Sequence, residues 1–353
     1  MGQRIVIIGA GIIGAAVALR LTQAGHDVTV IEAGAPGGGA TGRSFGWINA
    51  SFHQDAAHFA LRAEGMAAWR RLDLPGVSWP GCLWFEEQGD AFASVHKHLT
   101  SLGYPVEVLE SDAIARAEPA LAAPPARALR FPGEGVAEAA LVAQDLLARA
   151  TALGARLWSG IAVRGIADRA GRVGGVLTDA GAIAADTVLV CAGTGTPGLV
   201  GPLGVKLPML DRPGLLLTTQ ALPPLLGHIV VAPGQEVRQL PDGRLLAPTS
   251  PNHQGDAAET LADTAETLAE AARARVAALI GRDIRLTGIT LAHRPVPGDG
   301  LPVVGPSGPD GLYLAVMHSG VTLAAIMAEL IAAELTNGGP QALLAPYRPA
   351  RFA

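Results

Sequence analysis

The pattern of apolar and helix-forming residues at the start of the chain predicts a strand, a turn, a helix and a second strand. Residues Arg4–Ile8 form a short apolar, β-branched run, which is typical of a fully buried strand. A glycine-rich turn follows, and Ala15–Ala24 continues as a helix-forming stretch that ends at Gly25. The next apolar run, Asp27–Ile31, predicts the second strand. This order indicates an α/β unit at the N-terminal end.

The middle of the chain alternates between helix-forming and β-forming segments. Ala56–Leu72 predicts a helix, and Leu141–Leu153 predicts an amphipathic helix. Short strands are predicted after them, with turns that make a β-meander of the middle ones: Arg156–Trp158, Ala162–Ile166, Val173–Thr178 and Thr187–Cys191. Since Val188–Val190 is apolar throughout, we expect the last strand to be central in a sheet covered on both faces.

Later segments predict a second sheet and two further helices. Pro208–Ala247 is rich in prolines and β-formers, with a hairpin at Pro241–Gly243, and predicts a mostly antiparallel region. Glu259–Ile280 predicts one long helix, whose apolar positions are spaced by three and four residues and so form a core-facing stripe. Leu312–Val316 predicts a strand. Val321–Leu335 predicts a helix that is apolar on nearly every side and must therefore be buried.

Composition restricts the class of protein. The 353 residues are enough for two domains, and the 49% hydrophobic content with 45 glycines fits a tightly packed α/β protein. The net charge is −5 and no run of Lys or Arg occurs, which argues against nucleic-acid binding. Cys82 and Cys191 are far apart, so we expect no disulfide framework and a reducing, cytoplasmic compartment. His96 and His98 diverge on a helix, so no metal site is expected.

Two apolar stretches have the appearance of membrane signals. The N-terminal run resembles a signal peptide, but the glycine turn interrupts it and no small-residue cleavage site follows. Gly311–Ala328 carries no formal charge over 18 positions, which is near the length that spans a membrane. His318–Gly320 breaks this stretch in the middle, as a strand–turn–helix would. We therefore expect no transmembrane segment.

The turn between the first strand and the first helix predicts a nucleotide site. Gly9 allows the tight turn, Gly11 lets a pyrophosphate approach the backbone, and Gly14 lets the helix pack closely on the strand. The helix N-terminus offers N–H groups and a positive dipole end to phosphates. Glu32 follows Gly14 by 18 residues, where a ribose hydroxyl is usually held. The alternative is a glycine-rich turn in an ordinary α/β domain.

The loop Gly34–Gly46 follows this unit and contains candidate phosphate ligands. Its backbone N–H groups and the side chains of Thr41, Arg43 and Ser44 are suitable donors to a phosphate. A flexible linker would need no arginine. The position of the loop directly after a nucleotide unit favours a cofactor-binding role over the linker alternative.

Four stretches together resemble the D-amino acid oxidase superfamily of FAD-dependent oxidoreductases, in its glycine oxidase, sarcosine oxidase and D-amino acid dehydrogenase branch. They are GAGIIG with Glu32, GGGATGRSFG, the strand that ends at Cys191, and RPVPGDGLPVVG followed by HSGVTLA. The resemblance covers essentially the whole chain. It implies an α/β fold with a Rossmann-like FAD-binding domain, a β-meander crossover and an antiparallel-sheet substrate domain. The FAD-binding domain would combine residues 1–74, 136–207 and 290–353, and the substrate domain residues 75–135 and 208–289.

The resemblance also implies which residues bind FAD. Glu32 would hold the adenosine ribose, Val163 would meet adenine through its backbone, and Gly320–Thr322 would present N–H groups to the pyrimidine edge of the flavin. Attachment would be non-covalent, since loop 37–46 has no His and the segment before His318 has no Cys. The whole implied cofactor set is Gly9, Gly11, Ile12, Ile13, Gly14, Glu32, Ala33, Thr41, Gly42, Arg43, Ser44, Gly46, Val163, Ala192, Gly193, His318, Ser319, Gly320, Val321 and Thr322.

Arg294 is the implied catalytic and substrate-binding residue, because the Arg of the matching Arg-Pro pair grips the substrate carboxylate in the glycine oxidase branch. A guanidinium binds a carboxylate bidentately and so positions the α-carbon. The alternative is a structural arginine at a domain interface. Trp47, His53 and Ser319 are further candidates for the substrate site. The implied reaction is hydride transfer from the α-carbon of a small amino acid to flavin N5, followed by hydrolysis of the imine.

Departures from the family pattern put glycine itself in doubt as the substrate. The aromatic residue that glycine oxidases carry before the hairpin is missing near Val237–Gln239, and the turn before the last helix is shorter and lacks their arginine. The electron acceptor would be O2, a quinone or a partner subunit. Two other functions stay open: the catalytic FAD subunit of a multi-subunit dye-linked dehydrogenase of the opine or proline type, and a non-catalytic FAD-binding protein.

Overall fold

A six-stranded sheet brings the two ends of the chain together with its middle. The computed structural model describes residues 2–249 and 260–353. The strands of this first sheet lie in the spatial order Val303–Pro306, Leu312–Val316, Thr187–Val190, Arg4–Ile8, Asp27–Glu32 and Arg156–Ser159. Neighbours run parallel, except that the first pair is antiparallel. The expected α/β fold is thereby confirmed, with Thr187–Val190 at the centre.

Both faces of this sheet are covered, because successive apolar residues of its strands point to opposite faces and are all buried. Ile5 and Ile7 pack into a core with the helices Ile12–Gln23, Ala139–Ala152 and Gly320–Asn337. Val6 and Ile8 face the other way, toward a three-stranded antiparallel meander. The meander consists of Val163–Asp168, Val173–Thr178 and Gly181–Ala184.

An eight-stranded sheet forms the second layer of the molecule. Its strands, in spatial order, are Leu286–His293, Pro213–Ala221, Arg244–Pro248, Gln235–Gln239, Ile229–Ala232, Cys82–Trp84, Arg127–Phe131 and Glu107–Glu110. The predicted hairpin at Pro241–Gly243 joins two antiparallel strands. One pair, Ile229–Ala232 with Cys82–Trp84, is parallel, and its two strands come from distant parts of the chain. Small sheets complete the strands: Trp47–Ile48, Gly135–Ala137 and Val77–Ser78, and Met209–Leu210 with Val296–Pro297.

Two helix starts differ by three residues or more from those expected, each for a local reason. The first helix begins at Ile12 rather than Ala15, because Gly11 has extended backbone angles and is itself the N-cap. The helix expected from Glu259 begins at Ala265, where the Thr264 hydroxyl accepts the N–H of Thr267 at 3.2 Å; Glu259 lies outside the described residues. The remaining helices are Ala56–Leu72, Gly89–Ser101, Ser111–Ala117 and Thr196–Val200, with 3-10 turns at Ala40–Arg43, Gly193–Gly195, Gly201–Leu203, Ala342–Tyr347 and Pro349–Phe352.

The helix Gly320–Asn337, here called the closing helix, is a core element. Among the described residues it has the length and hydropathy of a membrane span, and most of it is buried inside the protein. It lies between the first helix and the helix Ala56–Leu72, here called the second helix. Its apolar surface is explained by these contacts, so no membrane span is indicated.

Candidate cofactor and substrate site

One extended cavity of about 440 Å³ connects the glycine turn, the following loop, the start of the closing helix and the edge of the second sheet. This volume is within the usual range for small-molecule sites. The structure brings most of the predicted site residues together on its wall. They are Gly9, Gly11, Ile12, Ile13, Glu32, Thr41, Arg43, Ser44, Gly46, Trp47, Ala192, Gly193, Arg294, His318, Ser319, Gly320, Val321 and Thr322.

The glycine turn requires glycine at Gly9 and Gly14, and at Gly11 glycine leaves space on the cavity wall. Gly9 has a φ of 105°, and a Cβ there would lie 2.5 Å from the carbonyl oxygen of Cys191. A Cβ at Gly14 would lie 2.0 Å from Gly9 O, which is the close strand–helix packing predicted for this residue. Gly14 itself is behind the cavity wall. At Gly11 a Cβ would enter the space in front of the Thr41 hydroxyl, 3.1 Å away.

Glu32 is held at one end of the cavity by backbone donors. Its carboxylate accepts the N–H of Ala10 at 2.8 Å and the N–H of Gly34 at 2.9 Å. Two such bonds fix the orientation of the carboxylate and leave acceptor capacity on both oxygens. Ala33, the next residue, is exposed and is not on the cavity wall. Its predicted contact would have to be made through the backbone.

The closing helix presents its N-terminus at the opposite end of the cavity. Ser319, the N-cap, has a φ of 56°, a left-handed conformation that turns the chain sharply from the strand Leu312–Val316 into the helix. The first N–H groups of a helix have no partner within it, so those of Gly320, Val321 and Thr322 are available to a ligand. These groups carry the positive end of the helix dipole. Negative charge in this part of the cavity would therefore be stabilised.

Arg294 lies where the second sheet meets the cavity, directly after the strand Leu286–His293. Its Nη2 donates to the carbonyl oxygen of Pro213 at 3.3 Å. A Cβ at Gly214 would lie 3.5 Å from Arg294 Nε, an ordinary van der Waals distance, so the guanidinium packs closely over this glycine. The half-buried Arg294 thus lies on the sheet that faces the closing helix.

His318 is neutral in this environment. Burial, together with the positive charges of Arg294 and Arg62, lowers the pKa of His318 to about 3. The imidazole therefore carries no charge at physiological pH.

Arg62 is a site residue that the sequence analysis missed. It lies on the second helix, is 1% exposed and lines the cavity. Its guanidinium donates to the Ser319 hydroxyl at 2.5 Å and to Asn49 O at 3.0 Å, and also to Asn49 Oδ1. Burial lowers the pKa of Arg62 to about 10. A charged residue on the inward face of an amphipathic helix is the signal that could have found it.

Trp47 lines the cavity, and its indole N–H donates to the Glu134 carboxylate at 2.7 Å. Glu134 is completely buried and also accepts from Ser51 and Tyr104. Burial raises the pKa of Glu134 to about 7. The sequence analysis did not identify this acid, whose role depends on segments that are distant in the chain.

Three further predicted residues are not on the cavity wall. The ring of His53 lies against His98, with the two Nε2 atoms 2.9 Å apart, and its Nδ1 is 3.0 Å from the carbonyl oxygen of Ala50. These contacts hold the ring against His98, and the expected substrate contact of His53 stays a prediction. A Cβ at Gly42 would lie 2.6 Å from Gly37 O, which explains the glycine by loop packing. Val163 begins the first meander strand, outside the cavity.

The residues present fit FAD. The first helix and the closing helix both present N-terminal N–H groups to the cavity, which suit a pyrophosphate and an anionic ring edge, and the N–H groups of Ala10 and Gly34 orient the Glu32 carboxylate for a ribose. The Cys191 thiol, on the same wall, is buried, and burial raises the pKa of that thiol. A thiol that stays protonated is a poor nucleophile, in agreement with the expected non-covalent binding.

Comparison with known proteins agrees with this geometry. The family model for FAD dependent oxidoreductases (DAO) matches residues 4–334. A glycine oxidase of Pseudomonas aeruginosa is 30% identical over 99% of both chains, and a D-amino acid dehydrogenase of Rhizobium johnstonii is 26% identical over 96% of both. The crystal structure of glycine oxidase from Geobacillus kaustophilus superposes with a TM-score of 0.87 at 25% identity, over 99% of this chain and 100% of that one.

The fold and the site define an FAD-binding oxidoreductase. The chain belongs to the DAO family of FAD-dependent oxidoreductases, the family that contains glycine oxidase and D-amino acid dehydrogenase. It is an FAD-dependent enzyme of the amino-acid oxidase and dehydrogenase type, and its cofactor is FAD.

Proposed function

We propose that this enzyme oxidises a small amino acid that carries a free carboxylate. The single observation that supports the proposal is the continuous cavity, whose wall contains the glycine turn, Glu32, Arg294 and the start of the closing helix. When bound, FAD would accept a hydride from the α-carbon. The imine that results would be hydrolysed to an oxo acid and ammonia or an amine.

The chain's own residues would position the reactants. Gly9, Gly11 and the loop residues Thr41, Arg43 and Ser44 would hold the pyrophosphate and ribityl chain, and Glu32 the ribose. Arg294 would bind the substrate carboxylate through its planar fork and place the α-carbon in register for the transfer. Because the pKa of His318 is lowered to about 3 and Arg62 is already protonated, neither side chain can hold a proton taken from the substrate amine, so we expect the amine to react in its unprotonated form.

Two aspects of specificity follow from the second sheet. Arg238, near the position where glycine oxidases carry an aromatic residue, bonds Glu138 at 2.7 Å and Phe45 O at 2.7 Å. It is therefore engaged and does not compete with Arg294 for the carboxylate. Phe52 and Leu216 add apolar surface to the cavity wall. This supports a substrate larger than glycine, such as a D-amino acid or an N-substituted amino acid.

The electron acceptor, the compartment and the domain limits belong to the proposal as well. We propose O2 or a quinone as acceptor, a cytoplasmic location, and an FAD-binding domain of residues 1–74, 136–207 and 290–353 with a substrate domain of residues 75–135 and 208–289. The multi-subunit dye-linked dehydrogenase is not favoured, because the relatives that match nearly the whole chain are a glycine oxidase and a D-amino acid dehydrogenase.

The test is anaerobic bleaching of the bound flavin by a panel of D-amino acids, glycine, N-methyl amino acids, proline and opines, each paired with the amine that lacks its carboxylate. Arg294→Ala should retain FAD but lose about 100-fold or more in affinity for carboxylated substrates, since a charge-assisted bidentate pair is removed. The matched amines should be little affected. Arg285→Ala, an exposed arginine just before the same strand, is the control.

The proposal would be wrong if no member of the panel bleached the flavin. It would also be wrong if Arg294→Ala reduced the affinity for amines and amino acids equally.

A further inference from the structure

The second helix meets the first turn of the closing helix along one face, on which Arg62, Gly65 and Trp69 lie at helical spacing. A Cβ at Gly65 would lie 2.6 Å from the carbonyl oxygen of Thr322, so glycine is what allows this close approach. The indole N–H of Trp69 donates to the carbonyl oxygen of Val321 at 2.8 Å. These two contacts fix the position of the second helix relative to the closing helix. They place the Arg62 guanidinium at the N-terminus of the closing helix.

Arg62 is a buried cation whose hydrogen-bond acceptors are all uncharged. They are the Ser319 hydroxyl and the two oxygens of Asn49. Within residues 2–249 and 260–353 no carboxylate forms an ion pair with Arg62, and Glu134 acts on it only from a distance. Three of the five N–H groups of the guanidinium donate in these bonds, which leaves two for a ligand.

Two electrostatic penalties meet at this position. Removing a guanidinium from water without a paired anion is strongly unfavourable. A cation beside a helix N-terminus is also unfavourable, because that end already carries positive partial charge. Because Arg62 lines a ligand cavity, a negatively charged group of the bound ligand would offset both penalties.

We propose that Arg62 and the N-terminus of the closing helix form one anion site, which stabilises the negative charge that the flavin gains on reduction. This inference rests on the proposed function, in which the flavin pyrimidine edge meets Gly320–Thr322. Transfer of two electrons and one proton, as a hydride, leaves the ring system with one additional negative charge. Arg62 forms and breaks no covalent bond. It stabilises the reduced state relative to the oxidised one and so raises the midpoint potential of the flavin.

The test measures the midpoint potential of bound FAD in Arg62→Gln, Arg62→Lys and Arg71→Gln. Arg71 is the matched control, because it lies on the same helix but is exposed and paired with Glu329. In Arg62→Gln we expect the affinity for reduced FAD to fall 10- to 100-fold relative to the affinity for oxidised FAD. For a two-electron couple this corresponds to a midpoint potential lower by about 30 to 60 mV. Arg62→Lys keeps the charge and should recover most of the loss, and Arg71→Gln should match the wild type.

Sulfite is a second probe, since it reacts with the flavin, requires stabilisation of the same negative charge, and carries no carboxylate. Its affinity should fall in parallel with the potential of Arg62→Gln. In the unaltered protein, the potential should fall by about 30 mV per pH unit between pH 6 and 8 without a steeper segment, because a reduced flavin held as the anion takes up one proton per two electrons. This measurement needs no variant and applies even where Arg62→Gln does not fold.

The outcomes separate this inference from the proposed function. Two results would overturn the role of Arg62 while leaving amino-acid oxidation intact. One is a midpoint potential in Arg62→Gln equal to that of the wild type. The other is a midpoint potential of the unaltered protein that falls by about 60 mV per pH unit, twice the expected slope. If Arg62→Gln changed only the KM for carboxylated substrates, Arg62 would belong to the substrate carboxylate site, and the inference would again be wrong. The potential and sulfite measurements need only bound FAD, so they do not depend on knowing the substrate.

Discussion

At the scale of single residues, the cavity wall beside the closing helix combines a guanidinium whose charge is fixed with a histidine that stays neutral. Arg62 remains charged although burial lowers its pKa to about 10, and His318 remains neutral because its pKa is lowered to about 3. Arg294 adds a second guanidinium to the cavity wall, and its positive charge also acts on His318. Such a site suits a substrate and a cofactor that both bring negative charge.

Glu32 supports a prediction at this scale. In Glu32→Gln one carboxylate oxygen becomes an NH2 group, which donates hydrogen bonds and cannot accept them. One of the two backbone N–H bonds that now hold the side chain is therefore lost. We expect FAD to bind about 10- to 100-fold more weakly, in line with the loss of a hydrogen bond to a charged group. Fluorescence titration of the apoprotein with FAD measures this affinity.

Asp27→Asn is the control for Glu32→Gln. Asp27 begins the same strand and forms an exposed ion pair with Arg156. Its loss should leave FAD binding unchanged. Equal FAD affinity in Glu32→Gln and wild type would contradict the ribose role of Glu32.

At the scale of elements, the positions of helices against each other decide where the ligand-binding groups lie. The first helix, the second helix and the closing helix pack together over one face of the first sheet. Glycines at the contacts, such as Gly14 and Gly65, have no Cβ, so the neighbouring backbone comes closer than a side chain would permit. The cavity wall therefore depends on small residues that make no ligand contact of their own.

Gly65→Ala tests this dependence. The new Cβ would lie 2.6 Å from the carbonyl oxygen of Thr322, so the second helix must move away from the closing helix. Overpacking of this kind usually destabilises by about 1–3 kcal/mol, more than the gain of up to about 1 kcal/mol in helix propensity. We expect a lower free energy of unfolding in urea and weaker FAD binding.

Gly198→Ala is the matched control for Gly65→Ala. Gly198 is exposed in the helix Thr196–Val200, and a Cβ there would meet nothing within 4 Å. It should be neutral or slightly stabilising. If both variants had the stability of the wild type, the close contact at Gly65 would be unimportant.

Element types were predicted well from the sequence, and element starts less well. The strands Arg4–Ile8 and Leu312–Val316 and the helix Ala56–Leu72 have the expected limits, because apolar runs and helical periodicity are local properties of the chain. The two shifted helix starts depend on the backbone angles of Gly11 and on the capping hydroxyl of Thr264. Such caps select one start among several that the pattern allows.

At the scale of the whole molecule, buried polar groups connect segments that are distant in the chain. Glu134 accepts from Trp47, Ser51 and Tyr104, and so joins the loop beside the cavity to the segment after the helix Gly89–Ser101. A buried acid with several donors holds these segments in one arrangement. Its ionisation is therefore coupled to the stability of the whole protein.

The pH dependence of stability is the corresponding prediction. The pKa of Glu134 is raised from 4.5 to about 7 in the folded protein, so its protonated form is the one that folding favours. The free energy of unfolding should accordingly fall by about 3 kcal/mol as the pH rises from about 4.5 to about 7, and this contribution should be constant above that range. Urea unfolding at a series of pH values measures it.

Glu134→Gln removes the titrating group and should lack this component of the pH dependence. An unchanged slope between pH 4.5 and 7 in Glu134→Gln would show that the buried acid is not its source.

The sequence by itself determined the parts of this protein whose requirements are local. Strand, glycine turn, helix and acid at Glu32 follow one another along the chain, and both the positive φ of Gly9 and the close approach of Gly9 O to Gly14 exclude other residues. Only the tertiary structure decided which side chains share the cavity. It buried Arg62 beside Ser319 and turned His53 toward His98. Burial and contact distance depend on how segments far apart in sequence pack together, and no local pattern encodes them.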